Sequence, residues 1–542
     1  MTKHLPMKKL SLAIATVMSL HAAIGVAQAD ERESLEQLKA TTTNLIDLLV
    51  KEGVLPKDKA DAIVKKATED AARQVKQQQA LDAIAAKPAD GAAPAVAPED
   101  KSVRVQYVPE HVKKEMRADI EKEVMAKLNY KAGERLGLPG WLDRIEFYGD
   151  MRLRAQEDSF GSDNQIPANL NDARRNMNLN NSTVDRNRLR VRARLGADVK
   201  VNDWLVGGLQ FVTGLQTTPL TPNQTEGIAQ GKYVFGLDRA FLKATPTPWL
   251  MVEGGRFANP FLSTDILFDP DLAFDGVAAT FSPKLMDNLT SFTTVGAFPI
   301  EEIESSDFNK AKDKWLYSLQ TGLKWQAPNK STAKLAVAYH DYKNVEGKLS
   351  PVGTTDFTAT APIFRQRGNN TFDINGVNGG SRLIGLASQF EQINIIGQID
   401  FLNFDPVHVT LTGDYIKNIG FDKNEIMRRT GELVPYPEET DAYQVKLDVG
   451  TNAFTGARHE EIKKDDWQLS LAYKRIEADS VLDGFNDSNF RLGGTDTKGW
   501  ALVGNYAFDK NAWVGARYLS ADTVSGKDFS VDVFLIDLNA KF

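Results

Sequence analysis

The sequence predicts an all-β membrane protein, an antiparallel transmembrane β-barrel of about sixteen strands preceded by a short α-helical region. Three observations carry this. Apolar residues recur at every second position from about residue 145 onward. The connections between these segments alternate between short and long. The chain closes on an alternating segment whose last residue is Phe542.

Composition sets the bounds. The chain has 542 residues, a formal net charge of −7, no cysteine and 42 % hydrophobic residues. No run beyond residue 30 reaches the roughly 18 apolar residues of a spanning helix. A mean hydropathy of −0.34 fits barrel strands, whose lipid-facing and lumen-facing residues average out. Without cysteine there are no disulfides, thiolate metal sites or cysteine nucleophiles. The mild acidity gives no reason to expect nucleic acid as a partner.

Residues 1–29 read as an export signal: Lys3, Lys8 and Lys9, an apolar core over Leu10 to Ile24, then Ala27-Gln28-Ala29 as a cleavage site. Residues 30–86 read as a helical hairpin with Leu35, Leu38, Leu45, Leu48 and Leu49 at helical spacing, Gly53 stopping the first helix and Pro56 starting the second. Residues 87–106 contain a Pro/Ala-rich linker. Residues 107–142 hold an amphipathic helix and a lead-in. Its Val108, Val112, Met116, Ile120, Val124 and Leu128 repeat every fourth residue. That period drifts around a 3.6-residue helix, so the stripe is no left-handed coiled-coil seam; it reads either as a stripe docking on the barrel base or a partner chain, or as an ordinary amphipathic helix.

The barrel is predicted over 143–542. Candidate strands lie near 145–155, 187–199, 204–216, 233–245, 249–258, 274–284, 288–300, 314–326, 332–344, 388–402, 406–418, 441–453, 465–478, 498–508, 511–521 and 529–542. In the eighth, Trp315, Tyr317, Leu319, Leu323 and Trp325 share one face, while Ser318, Gln320, Gly322, Lys324 and Gln326 share the other. Such a strand suits hydrocarbon on one side and water on the other. Two places fit the rule poorly: the alternation around Arg239, and a long connection near 454–464 at the end where turns are otherwise short. In the last segment Phe534, Ile536, Leu538, Ala540 and Phe542 alternate with other residues, a pattern expected to be read by the barrel-assembly machinery.

The second strand is the most informative. Arg186, Arg188, Arg190, Arg192 and Arg194 occupy every second position, and Arg152 and Arg154 on the first strand extend the row. Arginine facing lipid at mid-depth costs roughly 2–4 kcal/mol, so the row faces the lumen. It either pairs with wall carboxylates as a brace or selects among ions, and the two roles can coexist. The third long connection carries Asp265, Asp269, Asp271 and Asp275. Acids on an inward loop opposite the arginines would set a transverse field; on an outward loop they would have no pore role.

The Gly53-Val54-Leu55-Pro56 hairpin, the Tyr107-Val108-Pro109-Glu110 helix start and the stretch Gly255–Gly276 (GRFANPFLSTDILFDPDLAFDG) resemble a putative porin family of proteobacteria. The resemblance covers nearly the whole mature chain. It implies an outer-membrane channel and a constriction role for the loop acids, and names no solute; passage of small hydrophilic solutes or ions, an inward third loop and a homotrimer in outer-membrane lipid are expected by analogy with sixteen-stranded porins. It implies no catalytic residue, cofactor or metal. A non-conducting structural or adhesive barrel is the alternative. A barrel enzyme would need a histidine beside a serine or aspartate near a rim, and His111, His340, His408 and His459 offer no such grouping by sequence position.

Overall fold

The computed structural model describes residues 142–542, apart from 166–170, 173–176, 179–180, 215–216, 377–381, 432–435 and 459. The expected signal, helical hairpin, linker and amphipathic helix lie outside the described residues.

Sixteen antiparallel strands form one closed sheet. They are β1 (Ile145–Phe160), β2 (Arg186–Lys200), β3 (Leu205–Thr213), β4 (Phe235–Thr247), β5 (Leu250–Ala258), β6 (Ala273–Phe281), β7 (Leu289–Glu301) and β8 (Lys314–Gln326). The second half comprises β9 (Thr332–Lys343), β10 (Phe390–Phe404), β11 (Val407–Asn418), β12 (Asp441–Gly450), β13 (Trp467–Ile476), β14 (Thr497–Asp509), β15 (Ala512–Thr523) and β16 (Val531–Lys541). Each predicted strand is present, with ends shifted by a few residues. The sheet closes where β16 pairs with β1, Leu153 opposite Leu538 and Arg154 opposite Asp537. Phe542 and Gly149 exchange backbone hydrogen bonds at the seam. Gly149 has no side chain because a Cβ there would lie 2.5 Å from the Phe542 ring.

Side chains invert the pattern of a soluble protein. On β13 Leu469 and Leu471 are exposed while Ser470 is buried, and on β8 Leu319 is exposed while Gln320 is buried. An apolar outer belt around a polar interior is what hydrocarbon outside and water inside require. On β16 Phe534, Ile536 and Leu538 face outward, and Asp537 and Asn539 face inward.

The irregular alternation at Arg239 has a structural cause. The β3–β4 pairing shifts between Gln210 and Phe211, so that Gln210 lies opposite Arg239 and Phe211 opposite Leu237, leaving Asp238 as the extra residue. This β-bulge lets both Asp238 and Arg239 face the interior.

Long loops gather at one end. L2 spans 214–234, L3 259–272, L5 344–389 and L7 477–496, and a short helix α1 (Lys423–Thr430) lies between β11 and β12. Asp422 caps α1 by accepting from the backbone N–H of Asn424 and Glu425 at 2.8 and 3.1 Å. At the opposite end the turns are short except for 451–466, which leans across its neighbours. Its Phe454 and Ile462 pack on Trp513 and Ala507. Lys541 Nζ donates to the carbonyls of Ala457 and Glu460 at 2.5 and 2.7 Å. Arg458 reaches β1 and β2: it pairs with Glu146 at 2.8 Å and with Asp198, and lies 4.3 Å from the centre of the Tyr148 ring. Tyr148 lies flat because it crosses Gly196, where a Cβ would meet the ring at 2.3 Å.

Two outcomes follow. Leu471→Arg, which places a charge on the lipid face, is expected to lower the unfolding free energy in lipid or micelles by about 2–4 kcal/mol, measured by denaturant titration. Arg458→Ala is expected to free the 451–466 turn and to speed chymotryptic cleavage after Phe454, read by mass spectrometry of the folded protein.

Candidate functional site: an arginine-lined sector of the barrel interior

The register of β1 and β2 sets the arginines in opposed pairs. Arg152 lies opposite Arg192, Arg154 opposite Arg190, Asp150 opposite Arg194 and Asp158 opposite Arg186. Since side chains in adjacent rungs alternate faces, these residues share the inward face. Arg186, at the long-loop rim, is exposed.

Carboxylates brace part of this row. Asp150 accepts from Arg192 and Arg194, both at 2.6 Å. Asp158 accepts from Arg188 at 2.5 Å. Asp537 on β16 takes Arg154 in a two-pronged grip at 2.6 and 2.8 Å and also takes Arg517 from β15 at 3.1 Å. Two arginines have no carboxylate within 4 Å among the described residues. Arg152 donates to the Asn223 side chain in L2 at 2.5 Å. Arg190 donates to Gln156 and to the Asn223 carbonyl at 3.2 and 3.3 Å. Arg152, Arg154, Arg188, Arg190, Arg192, Arg194 and Arg517 thus face the four carboxylates Asp150, Asp158, Asp271 and Asp537, a formal surplus of three positive charges.

L3 folds inward and is held by an apolar anchor. Its Phe261, Ile266, Leu267, Phe268 and Leu272 pack with Phe257, Phe274, Phe298, Leu316 and Tyr342 of the wall. Polar staples fix its course: Gln320 exchanges hydrogen bonds of 2.8 Å with the Leu262 backbone, and Asp414 accepts from Thr264 at 2.7 Å. L7 is knitted to it through Asp269 N–H to Phe485 O at 2.8 Å and Asp487 N–H to Asp265 O at 2.9 Å.

The four acids of this stretch have different places. Asp271 faces the row, 3.8 Å from Arg192 and 3.5 Å from Arg194. Burial pushes its carboxyl up, but Arg192 and Arg194 outweigh that and hold it below the usual carboxylate range. Asp265 pairs with Lys474 of β13 at 2.6 Å, and Asp487 of L7 shares that lysine at 3.2 Å. Asp269 is buried and accepts from the backbone N–H of Asp271 and Ser488 at 2.8 and 3.0 Å. Burial first, then the charges of Asp271 and Asp487, push it well above the usual range. Asp275 belongs to β6, where it pairs with Arg256 at 2.8 Å.

Two chambers meet at this level. One of about 930 Å³ is lined by Arg152, Arg154, Asp271, Lys474 and Asp537 and extends to the 451–466 turn. The other, about 510 Å³, lies toward the long loops and has an apolar wall including Phe298, Ile300 and Phe364. Arg194, Arg239 and Asp271 line both. The boundary between them is therefore a charged level of the interior.

Asp150 and Asp158 are not among the residues singled out by sequence, although they keep the same two-residue period as Arg152 and Arg154. Asp537, Arg517, Asn223 and Lys474 left no such signal, because only closure of the sheet and infolding of the loops bring them to the row. Sequence position also missed a serine–histidine contact: Ser318 Oγ lies 2.8 Å from His340 Nδ1. The pair is sealed beneath Phe261 and Phe268, each 5.4 Å from the imidazole, and the buried His340 Nε2 finds no partner among the described residues. His408 lies elsewhere on the wall, 3.0 Å from Asp400.

Similar solved structures include OprB of Pseudomonas putida, with 12 % identity, a TM-score of 0.41, and coverage of 74 % of this chain and 95 % of that one. DcaP, an outer-membrane channel of Acinetobacter baumannii, gives 12 % identity, a TM-score of 0.37, and coverage of 73 % and 97 %. Salmonella typhi OmpF, in complex with daunomycin, gives 11 % identity, a TM-score of 0.37, and the same coverage of 73 % and 97 %. No curated protein matches the chain. The model of the putative porin family matches residues 39–542. With a closed sixteen-stranded barrel around a charged interior, the chain belongs to the putative porin family and is a channel-type protein of the bacterial outer membrane.

Proposed function

We propose that the protein is a channel for passive diffusion of small hydrophilic solutes and ions that prefers anions, its selectivity set by the arginine row opposite Asp271 of L3. The observation that carries this is the surplus of three positive charges at the constriction, with Arg152 and Arg190 free of carboxylate partners among the described residues. A charged ring between low-dielectric walls raises the local concentration of the opposite ion. Asp271 sets the negative side of a transverse field. Asp265 is paired with Lys474, which it shares with Asp487, and Asp269 is buried and turned back to backbone donors, away from the row. The bracing and selecting roles coexist on one row, because the braced arginines position the unbraced ones. Assembly into a homotrimer and delivery by the barrel-assembly machinery belong to the same proposal.

The inward packing of L3 and L7 favours one second reading, a non-conducting structural or adhesive barrel. Discrete current steps in a planar bilayer decide for the channel; their absence decides for the scaffold.

Reversal potentials in a salt gradient test selectivity. The native channel is expected to favour chloride over potassium. Arg190→Gln is expected to reduce that ratio severalfold, and Asp271→Asn to raise it, since about 1.4 kcal/mol of local potential changes an ion ratio tenfold. Asp269→Asn is expected to leave the ratio near the native value. Equal ratios in Arg190→Gln, Asp271→Asn and the native channel would discard the assignment.

A further inference from the structure

Two successive rungs of the β1–β2 ladder carry like charges face to face, Arg152 against Arg192 and Arg154 against Arg190. Like charges directly opposite one another destabilise a strand pair. Asp150 and Asp537 relieve Arg192 and Arg154, but each carboxylate is already shared with a second arginine, Arg194 and Arg517. Among the described residues, Arg152 and Arg190 are relieved only by neutral oxygens of Asn223 and Gln156. The Nε atoms of Arg152, Arg190 and Arg192 are buried with no acceptor among the described residues. Arg152 and Arg192 are themselves only 6 % and 8 % exposed, and both line the larger chamber. Unsatisfied buried donors cost free energy, and donors on a cation more than neutral ones.

From this geometry we propose that the four arginines form a binding site for a phosphate group, either free phosphate or the end of a small phosphate monoester. The inference rests on the row lining a solute-accessible lumen and deepens that reading by naming a ligand chemistry. Guanidinium forks bind oxyanions through paired N–H donors. A carboxylate offers two oxygens in one plane and one negative charge. A phosphate group offers oxygens in three directions and up to two charges. Rungs about 7 Å apart along the strand, two residues at about 3.4 Å each, present forks from several directions, which suits the tetrahedral group. Asn223 on one side and Asp537 on the other hold the side chains that would face the ligand. The site lies beside the constriction, so a bound phosphate would sit in the ion path.

Thermal unfolding of the full chain in detergent micelles tests this without depending on conduction. At fixed ionic strength, the native midpoint is expected to rise with inorganic phosphate and with glycerol phosphate, but not with chloride or acetate, because a ligand of the folded state alone stabilises it. A rise with inorganic phosphate alone assigns the site to the free ion. Arg152→Gln with Arg190→Gln is expected to abolish the rise. Arg152→Lys, which keeps the charge and loses the fork, is expected to weaken phosphate binding about tenfold, the scale of one charge-assisted hydrogen bond. Midpoints equal in phosphate and chloride, an equal rise in acetate, or an undiminished phosphate effect in both variants would overturn the site. A selective phosphate rise in a protein that shows no anion preference would overturn the proposed selectivity instead.

Discussion

A strand in hydrocarbon can send its backbone hydrogen bonds only to another strand, since no water is present to take them. That requirement closes the sheet, and in this protein it is met at the junction of β1 and β16, where the register runs unbroken from Asp150–Lys541 to Phe160–Val531. Once the ladder is a ring, each strand has one face toward lipid and one toward the interior. The arginines of β1 and β2, the carboxylates that brace them and the apolar bed of L3 all follow from that division.

Closure also explains the pairing of charges. Asp537 is far from Arg154 in sequence, yet the β1–β16 register sets them directly opposite. The seam that completes the hydrogen-bond ladder therefore also supplies the bidentate grip that fixes Arg154, while Arg517 approaches the same carboxylate from the next strand. Breaking such a buried pair from one side leaves an uncompensated charge, a far larger penalty than the net worth of the intact pair. Arg152 and Arg190, which have no carboxylate partner among the described residues, thus lie within a scaffold that holds their neighbours still.

L3 shows how an irregular segment is positioned inside a barrel. Its five buried apolar side chains face wall residues that are themselves apolar, so the interior is divided between a packed sector along β5 to β9 and a charged sector along β16, β1 and β2. Burial fixes the loop backbone; the acids it carries are sorted by what they meet. Asp271 reaches the arginines, Asp265 reaches Lys474 and Asp269 turns back to backbone donors. The 451–466 turn repeats the arrangement at the opposite end, with Trp513 as its apolar anchor and Arg458 as its charged contact.

The sequence by itself determined the barrel: a period of two is a local property, and the lipid penalty on charge acts strand by strand, so sixteen strands and the inward direction of Arg188, Arg190, Arg192 and Arg194 were legible without any contact map. It also marked the anomalies at Arg239 and 454–464 without explaining them. Only the tertiary structure decided that the first is a bulge turning Asp238 and Arg239 inward together, and that the second is a turn folded onto β1 and β2. It likewise decided which acid of L3 faces the row and which arginines lack a carboxylate among the described residues. These outcomes depend on side chains brought together by ring closure and loop infolding, and such long-range pairings leave no trace in the spacing of residues along a single strand.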